Sequence, residues 1–404
     1  MKRVLLIAAT TGYQVREFSK AAARLGLELV LATDRCHILD DPWGDGAVAL
    51  RFEEPAGGLD ALVARGPFDG ILAVGDRPAC VAAQVAPLLG ARFSPESAVT
   101  AASDKFLTRE CFREAGLNVP EYRLLPLHDG RGPQAVTFPC VLKPLHLSAS
   151  RGVIRADNPQ ELEAAYQRIG KMLEGERSLL VEEFIPGREF ALEGVVSGGR
   201  LQVLAIFDKP DPLDGPYFEE SIYVTPSREF EAAQQAIREE TQRAVSGLGL
   251  TDGPVHAEMR VNARGVWMLE AAARPIGGLC ARVLRFEMTR PMALEELLLL
   301  HAVGEDVAPA RLEPGAHGVM MIPIPRAGVY RGVSGAEDAL RVPGIEDVIV
   351  TAKEGQTLVP LPEAASYLGF VFARAASAAA VEDGLRRACE CLRFEVSTAL
   401  PVVE

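Results

Sequence analysis

No apolar run in the 404 residues approaches the roughly 18 that a membrane-spanning helix needs. The start, MKRVLLIAATTG, has the basic pair and short apolar run of a secretion signal. No small-residue cleavage site follows before TGYQVREFSK, so a first β-strand is expected there. Basic charge is in short supply: 42 Lys and Arg face 55 Asp and Glu, for a formal net charge of -13. That balance argues against general nucleic-acid or anionic-membrane binding and leaves room only for local basic clefts. Paired cysteine spacing is missing as well. Cys36, Cys80, Cys111, Cys140, Cys280, Cys389 and Cys391 are odd in number, scattered and without accompanying histidines. They indicate neither a disulfide framework nor a zinc site, and they fit a reducing cytoplasm. Cys389 and Cys391 read as a surface helix thiol beside a core thiol. Internal repeats and long low-complexity segments are absent too.

What is present is alternation. From residue 1 to about 100, short apolar runs trade places with helical stretches: VLLIAA, a helix around 14–25, LELVLA at 27–32, a helix at 58–65 and GILAV at 70–74. This pattern predicts a parallel α/β sheet. The first turn, Ala9-Thr10-Thr11-Gly12, faces a helix N-terminus but lacks the glycine fingerprint of dinucleotide folds, so it suits a small anionic substrate better than a nucleotide. A helix is expected over 101–119, with Ser103 as its cap, Asp104 in its first turn and Gly116 near its end. The extended EYRLLPL follows, then a strand FPCVLKP at 138–144, a loop HLSASRG and a helix at about 159–174. SLLVEEFIPG is the next strand, REFALEGVVSGGRLQVLAIFDK reads as a hairpin turning at Ser197-Gly198-Gly199, and 229–248 is strongly helical. Beyond 305, strands and Pro-Gly turns suggest a smaller α+β domain.

One stretch poses a charge problem. Residues 255–261 and 266–272 are apolar-rich and flank the turn signal Asn262-Ala263-Arg264-Gly265, which predicts a β-hairpin. With a three-residue loop and Gly265 in the left-handed position, Glu258 falls opposite Glu270. Alternation places His256, Glu258 and Arg260 on one face with Met268, Glu270 and Ala272. The two carboxylates then lie roughly 5 Å apart, a destabilising arrangement unless a cation intervenes. Arg260 and Arg274 are near enough to serve, and a Mg²⁺ ion held with substrate phosphates is the other solution. A solvent-facing hairpin with scattered charges is equally open from this stretch alone.

Other segments bear on that choice. Lys143 ends a strand in FPCVLKP, where a lysine is often only a solubility device at a sheet edge. Here a loop follows at once in which Ser148, Ser150 and Gly152 offer hydroxyls and N–H groups suited to phosphate. LLVEEFIPGREF carries Glu182 and Glu183 into Phe184-Ile185, a mixed edge of backbone hydrogen bonds, carboxylates and apolar wall that suits adenine. Glu189 just beyond is placed to accept hydrogen bonds from ribose. Taken alone, Glu182 also reads as an ordinary solvent-facing strand residue. His256 reads as a packed or solvated strand histidine. The loop within FDKPDPLDGPYFEES, Phe207 to Ser221, is of the kind that carries specificity. Arg282 and Arg285 follow GGLC in an expected helix, where each pairs with a substrate carboxylate or with a glutamate.

Taken in order, SDKFLTRECFREAGLNVP, FPCVLKPLHLSASRGV, LLVEEFIPGREF, HAEMR and MLEAAARPIGG resemble the ATP-grasp superfamily over about residues 95–305. Within it the chain is most similar to ADP-forming carboxylate-amine ligases of the bacterial L-amino acid ligase group, whose last domain GVMMIPIPRAGVYRGVSG to LGFVFARA resembles. The resemblance implies a parallel α/β domain at 1–100 and a two-lobed ATP-grasp region with antiparallel sheets at 101–305, its lid lobe at about 121–187. A small α+β domain at 306–404 completes the implied fold. It implies ATP phosphates on Lys105 and Lys143, a lid loop of Ser148, Ser150 and Gly152, an adenine hinge of Glu182, Glu183 and Ile185, and ribose on Glu189. Mg²⁺, or Mn²⁺ in its place, would sit on Glu258 and Glu270, with Arg274 and Lys143 serving the transferred phosphate. The implied reaction joins a small carboxylate, such as an amino acid, to an amine through an acyl phosphate, releasing ADP and phosphate, in a cytoplasmic homodimer.

The family's E-x-N-x-R departs here to Glu270-Ala271-Ala272-Ala273-Arg274, which removes one oxygen ligand at Ala272 and puts full metal binding in question. A carboxylate-thiol ligase, a carboxylase without its own biotinylation tripeptide, and a non-catalytic nucleotide-binding protein are the rival readings.

Overall fold

The run RVLLIA is apolar at every other residue on both sides, so a stable fold must cover both faces of the strand it forms. The computed structural model describes residues 1–9, 13–34, 47–52, 54–127, 136–173 and 175–398. Thr10, Thr11 and Gly12 of the first turn lie outside the described residues, as does Cys36. Strand Arg3–Ala8 pairs in parallel with Glu28–Thr33 on one side and Gly70–Val74 on the other, and Val48–Ala49 extends the sheet to four strands. Leu5 and Ile7 enter one hydrophobic core with Val81, Val85 and Met259, while Val4, Leu6 and Ala8 enter another with Phe18 and Leu297. Each fully buried side chain of this size contributes about 1.5–3 kcal/mol.

The single helix expected over 101–119 is two helices, Glu96–Ser103 and Lys105–Glu114. Asp104 separates them and caps the second: its backbone is extended and its carboxylate accepts from the N–H groups of Phe106 and Leu107. Aspartate wins over Ser103 as cap because the carboxylate takes two orphan donors and suits the positive helix end.

A four-stranded antiparallel sheet follows, in the order Tyr122–Pro126, Ser178–Glu183, Cys140–Pro144, Ile154–Ala156, backed by the helix Pro159–Met172. Lys143 therefore ends an interior strand. The floor beneath this lobe is an eight-stranded antiparallel sheet. Its first strands are Gly265–Ala272, Asp252–Asn262, Arg188–Ser197, Arg200–Lys209 and Ile222–Thr225, and it continues through Ala316–Ile322, Gly369–Ala375 and Ile345–Val350. Strands from both sides of residue 306 thus share one ladder, and the helix Ala378–Cys391 packs on its far half. The upper lobe is tied to this far half as well: the Gly152 N–H donates to the Pro362 carbonyl at 2.9 Å, and Arg168 forks onto Glu363 at 2.5 and 2.9 Å. No helix among the described residues is long and apolar enough to cross a membrane.

The hairpin differs from expectation in its turn. Asn262 pairs with Gly265, so the loop is the two residues Ala263 and Arg264. That register alone would slip the glutamates past each other. A β-bulge corrects it: between the pairs Met259–Met268 and Glu258–Glu270 the second strand carries one extra residue, Leu269. Glu258 does face Glu270, whereas Met268 turns with Met259 into the core and not toward the cavity as expected.

Candidate active site

A cavity of about 980 Å³ lies between the two lobes and reaches the first sheet. Lys105, Lys143, Ser148, Ser150, Glu182, Glu183, Ile185, Glu189, Glu258, Glu270 and Arg274 all line it. Arg282 and Arg285 do not, nor does Gly152 of the expected lid loop. Its φ of +68° turns the loop, and its side faces Pro144, whose Cγ would lie 2.6 Å from an added Cβ.

At one end two cations share one anion. Arg109 and Glu182 are almost fully buried, at 1 % and 3 % exposure. Arg109 Nε donates to Glu182 Oε2 at 2.9 Å and Nη2 to Oε1 at 3.2 Å, while Lys143 Nζ donates to the same Oε1. The expected exposed Glu182 carboxylate is therefore not found: Glu182 borders the cavity, but its carboxylate is taken up by Arg109 and Lys143. Burial alone would raise the Glu182 pKa, but the two cations bring it down to about 2. Burial lowers that of Lys143, since its one anion is shared with Arg109 and Lys105 is also near. Lys105 Nζ donates to the Leu147 carbonyl at 2.5 Å, and His146 meets Asp104 at 3.2 Å, so the loop of Ser148 and Ser150 hangs from the N-terminus of the helix Lys105–Glu114. Hydroxyls, lysines and surplus positive charge make this end fit for an anion.

The opposite end has surplus carboxylate. Lys209 Nζ sits among Glu189 at 3.0 Å, Glu220 at 2.7 Å and Glu258 at 3.0 Å, three carboxylates whose oxygens converge within 4.8 Å of one another. Burial should lower the Lys209 pKa, but these three anions push it well above the usual lysine value. Glu220 goes up, from burial and the nearby Glu258, against the pull of Lys209. Glu189 is also held by Arg260 Nε at 3.0 Å.

Of the two readings of His256, the structure bears out the packed one: it is a buried strand residue. Its Nδ1 lies 2.5 Å from Glu193 and its Nε2 3.2 Å from Glu258, and these anions overcome burial to raise its pKa to about 10. Counting His256 as charged, four carboxylates (Glu189, Glu193, Glu220, Glu258) meet three cations (Lys209, Arg260, His256).

Between the ends stands Arg274, whose Nε donates to Asp76 at 2.7 Å and whose Nη2 donates to Glu270 at 3.2 Å. Glu258 and Glu270 are hard oxygen donors opposed across the hairpin on the cavity wall. The hydrogen bonds that Lys209, Tyr223 and His256 make to Glu258, and that Arg274 makes to Glu270, all fall on Oε1. Such a donor set fits a hard divalent cation. Arg282 and Arg285 lie in a 3₁₀ turn and a short strand, not a helix, and pair with Asp347 at 3.0 Å and Glu346 at 3.2 Å.

Sequence reading missed Asp76, Arg109, Glu193, Lys209 and Glu220. Some signals were there: Asp76 follows a strand at a helix start, Arg109 lies one helical turn after Lys105, and Lys209 and Glu220 bracket the loop already singled out.

The geometry agrees with comparisons to known proteins. Residues 136–283 match the ATP-grasp domain model, and 320–397 match that of the L-amino acid ligase C-terminal domain 2. The alanine–anticapsin ligase of Bacillus subtilis is 29 % identical over 213 residues, covering 47 % of this chain and 44 % of that protein. The D-alanine–D-alanine ligase of Lacticaseibacillus casei is 31 % identical over 146 residues, 34 % of this chain and 38 % of that protein. The matched regions thus span less than half the length of either relative. In structure, the L-amino acid ligase from Bacillus licheniformis superposes with a TM-score of 0.84 at 24 % identity, over 98 % of this chain and 99 % of that one. By the two family models the chain carries an ATP-grasp domain at residues 136–283 and, behind it, a match to the L-amino acid ligase C-terminal domain 2, on a fold shared with the solved L-amino acid ligase.

Proposed function

We propose that this protein is an ADP-forming carboxylate-amine ligase acting on amino acids or closely related small carboxylates. The observation that carries the reading is the opposite charge imbalance of the two cavity ends, with Arg274 between them: an excess of cations where phosphates would lie, an excess of carboxylates where a metal ion and an ammonium group would lie. ATP would place its adenine along Glu183 to Ile185 and its ribose at Glu189, with its phosphates on Lys105, Lys143 and the loop of Ser148 and Ser150. Glu258 and Glu270 would hold Mg²⁺, which when bound offsets charge on the phosphates.

The substrate carboxylate, drawn to Arg274, attacks the γ-phosphorus. An oxygen–phosphorus bond forms as the bond to the β–γ bridging oxygen breaks, and ADP leaves with that electron pair. The amine then attacks the acyl carbon, Arg274 steadies the oxyanion, inorganic phosphate departs and the amine gives up a proton. The loop over the cavity, held to Pro362 and Asp104, keeps water from the acyl phosphate. The test is phosphate release from ATP and Mg²⁺ across amino acids offered singly and in pairs, with product masses read from positive wells. A product equal to both substrates minus water, absent with Glu270→Ala, supports the ligase; ATP binding with no release for any pair overturns it.

A further inference from the structure

Arg109 does not itself line the cavity, yet it reaches both lobes from one side chain by holding two residues that do. Nε and Nη2 fork onto Glu182 of the upper lobe, and Nη1 donates to the Leu269 carbonyl at 2.8 Å. Leu269 is the bulged residue that brings Glu270 round to face Glu258. Glu182 in turn holds Lys143. One planar guanidinium therefore fixes both the lysine at the phosphate end and the strand irregularity at the carboxylate end. We infer that Arg109 is a positioning residue that sets Lys143 and the Glu258–Glu270 pair at the spacing a nucleotide's phosphate chain requires.

The chemistry needs arginine at this place. Three donors in a fixed plane serve a carboxylate and, on the other edge, a carbonyl, which a lysine ammonium on a flexible stem does not reproduce. The helix bearing Arg109 starts at Lys105, so the same rigid element also delivers a second cavity lysine. Its location is a lobe boundary: the helix Lys105–Glu114 packs on the helix Glu231–Leu248 and on the strands Gly265–Ala272 and Tyr122–Pro126. Loss of the fork frees Lys143 and Glu182 to rearrange together while the apolar packing stays.

The inference rests on the nucleotide reading above, and its test separates the two. Calorimetric titration with adenosine, ADP and a non-hydrolysable ATP analogue, each with Mg²⁺, is run on the wild type, Arg109→Lys and Glu182→Gln, with melting curves alongside. Expected is a loss of about 10- to 100-fold in affinity for ADP and the analogue in both variants, with adenosine affinity kept within about twofold. Glu182→Gln keeps the side-chain shape and remains informative if Arg109→Lys fails to fold. Equal losses for adenosine and ADP would mean general structural damage and overturn the inference. So would full phosphate affinity in Arg109→Lys, because charge alone would then suffice. If the wild type binds no nucleotide, both the nucleotide reading and this inference fall. Selective binding in the wild type with no change in the variants removes only the role of Arg109.

Discussion

Lys143 and Lys209 are both withdrawn from water at the same cavity, but burial leaves Lys143 easier to deprotonate than a free lysine while Lys209 is held protonated far above the ordinary range. The difference is in the company each keeps. Lys143 has one carboxylate and must share it with Arg109, whereas Lys209 has three, of which Glu189 is shared with Arg260 and Glu258 with His256. Lys143 is under-compensated and open to an incoming anion; Lys209 is a structural counter-ion. Two buried lysines in one fold thus separate what binds from what holds, and the separation follows from the ratio of partners, not from burial.

That contrast can be broken by experiment. The largest effect is expected for Lys209→Met, which removes the one cation common to three converging carboxylates and should cost about 3–5 kcal/mol in urea unfolding. Lys143→Met should barely move that curve, since Arg109 still holds Glu182; a comparable loss would end the distinction. Next comes acid. Glu182 has its pKa depressed to about 2 from 4.5, so its stabilising contribution is fully present above pH 4.5 and is lost as pH falls toward 2. That depression corresponds to about 3 kcal/mol, and stability measured between pH 5 and 2 should fall by that much less in Glu182→Gln than in the wild type. In activity the order of the lysines reverses: Lys143→Met should lower ATP-dependent phosphate release about 100-fold, equal to about 2.7 kcal/mol. The smallest effect belongs to Glu363→Gln at the partly exposed contact with Arg168. A cost of about 0.5–1 kcal/mol in unfolding, fading in 1 M salt, would mark it as a screened surface pair.

Much of this molecule was legible in advance, and the failures have a pattern. Periodicity located the first sheet, the hairpins and the helices because each is a local property of a short window. The break at Asp104 was missed because the apolar rhythm continues through it, and only the cap geometry reveals two helices. The loop length at Gly265 was misread for a related reason: the glycine does take a positive φ, +117°, as expected, but as the first residue of the second strand and not as the third residue of the loop. Glu258 still faces Glu270, since the bulge at Leu269 adds back the residue the shorter turn removes. No pattern in one strand announces a bulge. Lys209 and Glu220 are only 11 residues apart, but Arg109, Asp76 and Glu193 have remote partners, Glu182 being 73 residues from Arg109, and Arg274 198 residues from Asp76. Separations like these leave no periodic trace, so a lone arginine in an amphipathic helix looks like any solvated one.

The eight-stranded sheet has a consequence for how such a chain can be recombined. Strand Ile222–Thr225 bonds to Arg200–Lys209 on one side and, on the other, to Ala316–Ile322, which lies almost a hundred residues further along the chain. A gene fusion that exchanged everything after residue 306 as a cassette would have to rebuild four cross-strand pairs, Ile222 with Met320 through Thr225 with His317, against a foreign neighbour. A graft made at that seam inherits an open strand edge of apolar residues, a template for unwanted self-association. Specificity in a chain of this design is therefore exchanged more safely through its loops than through its final third.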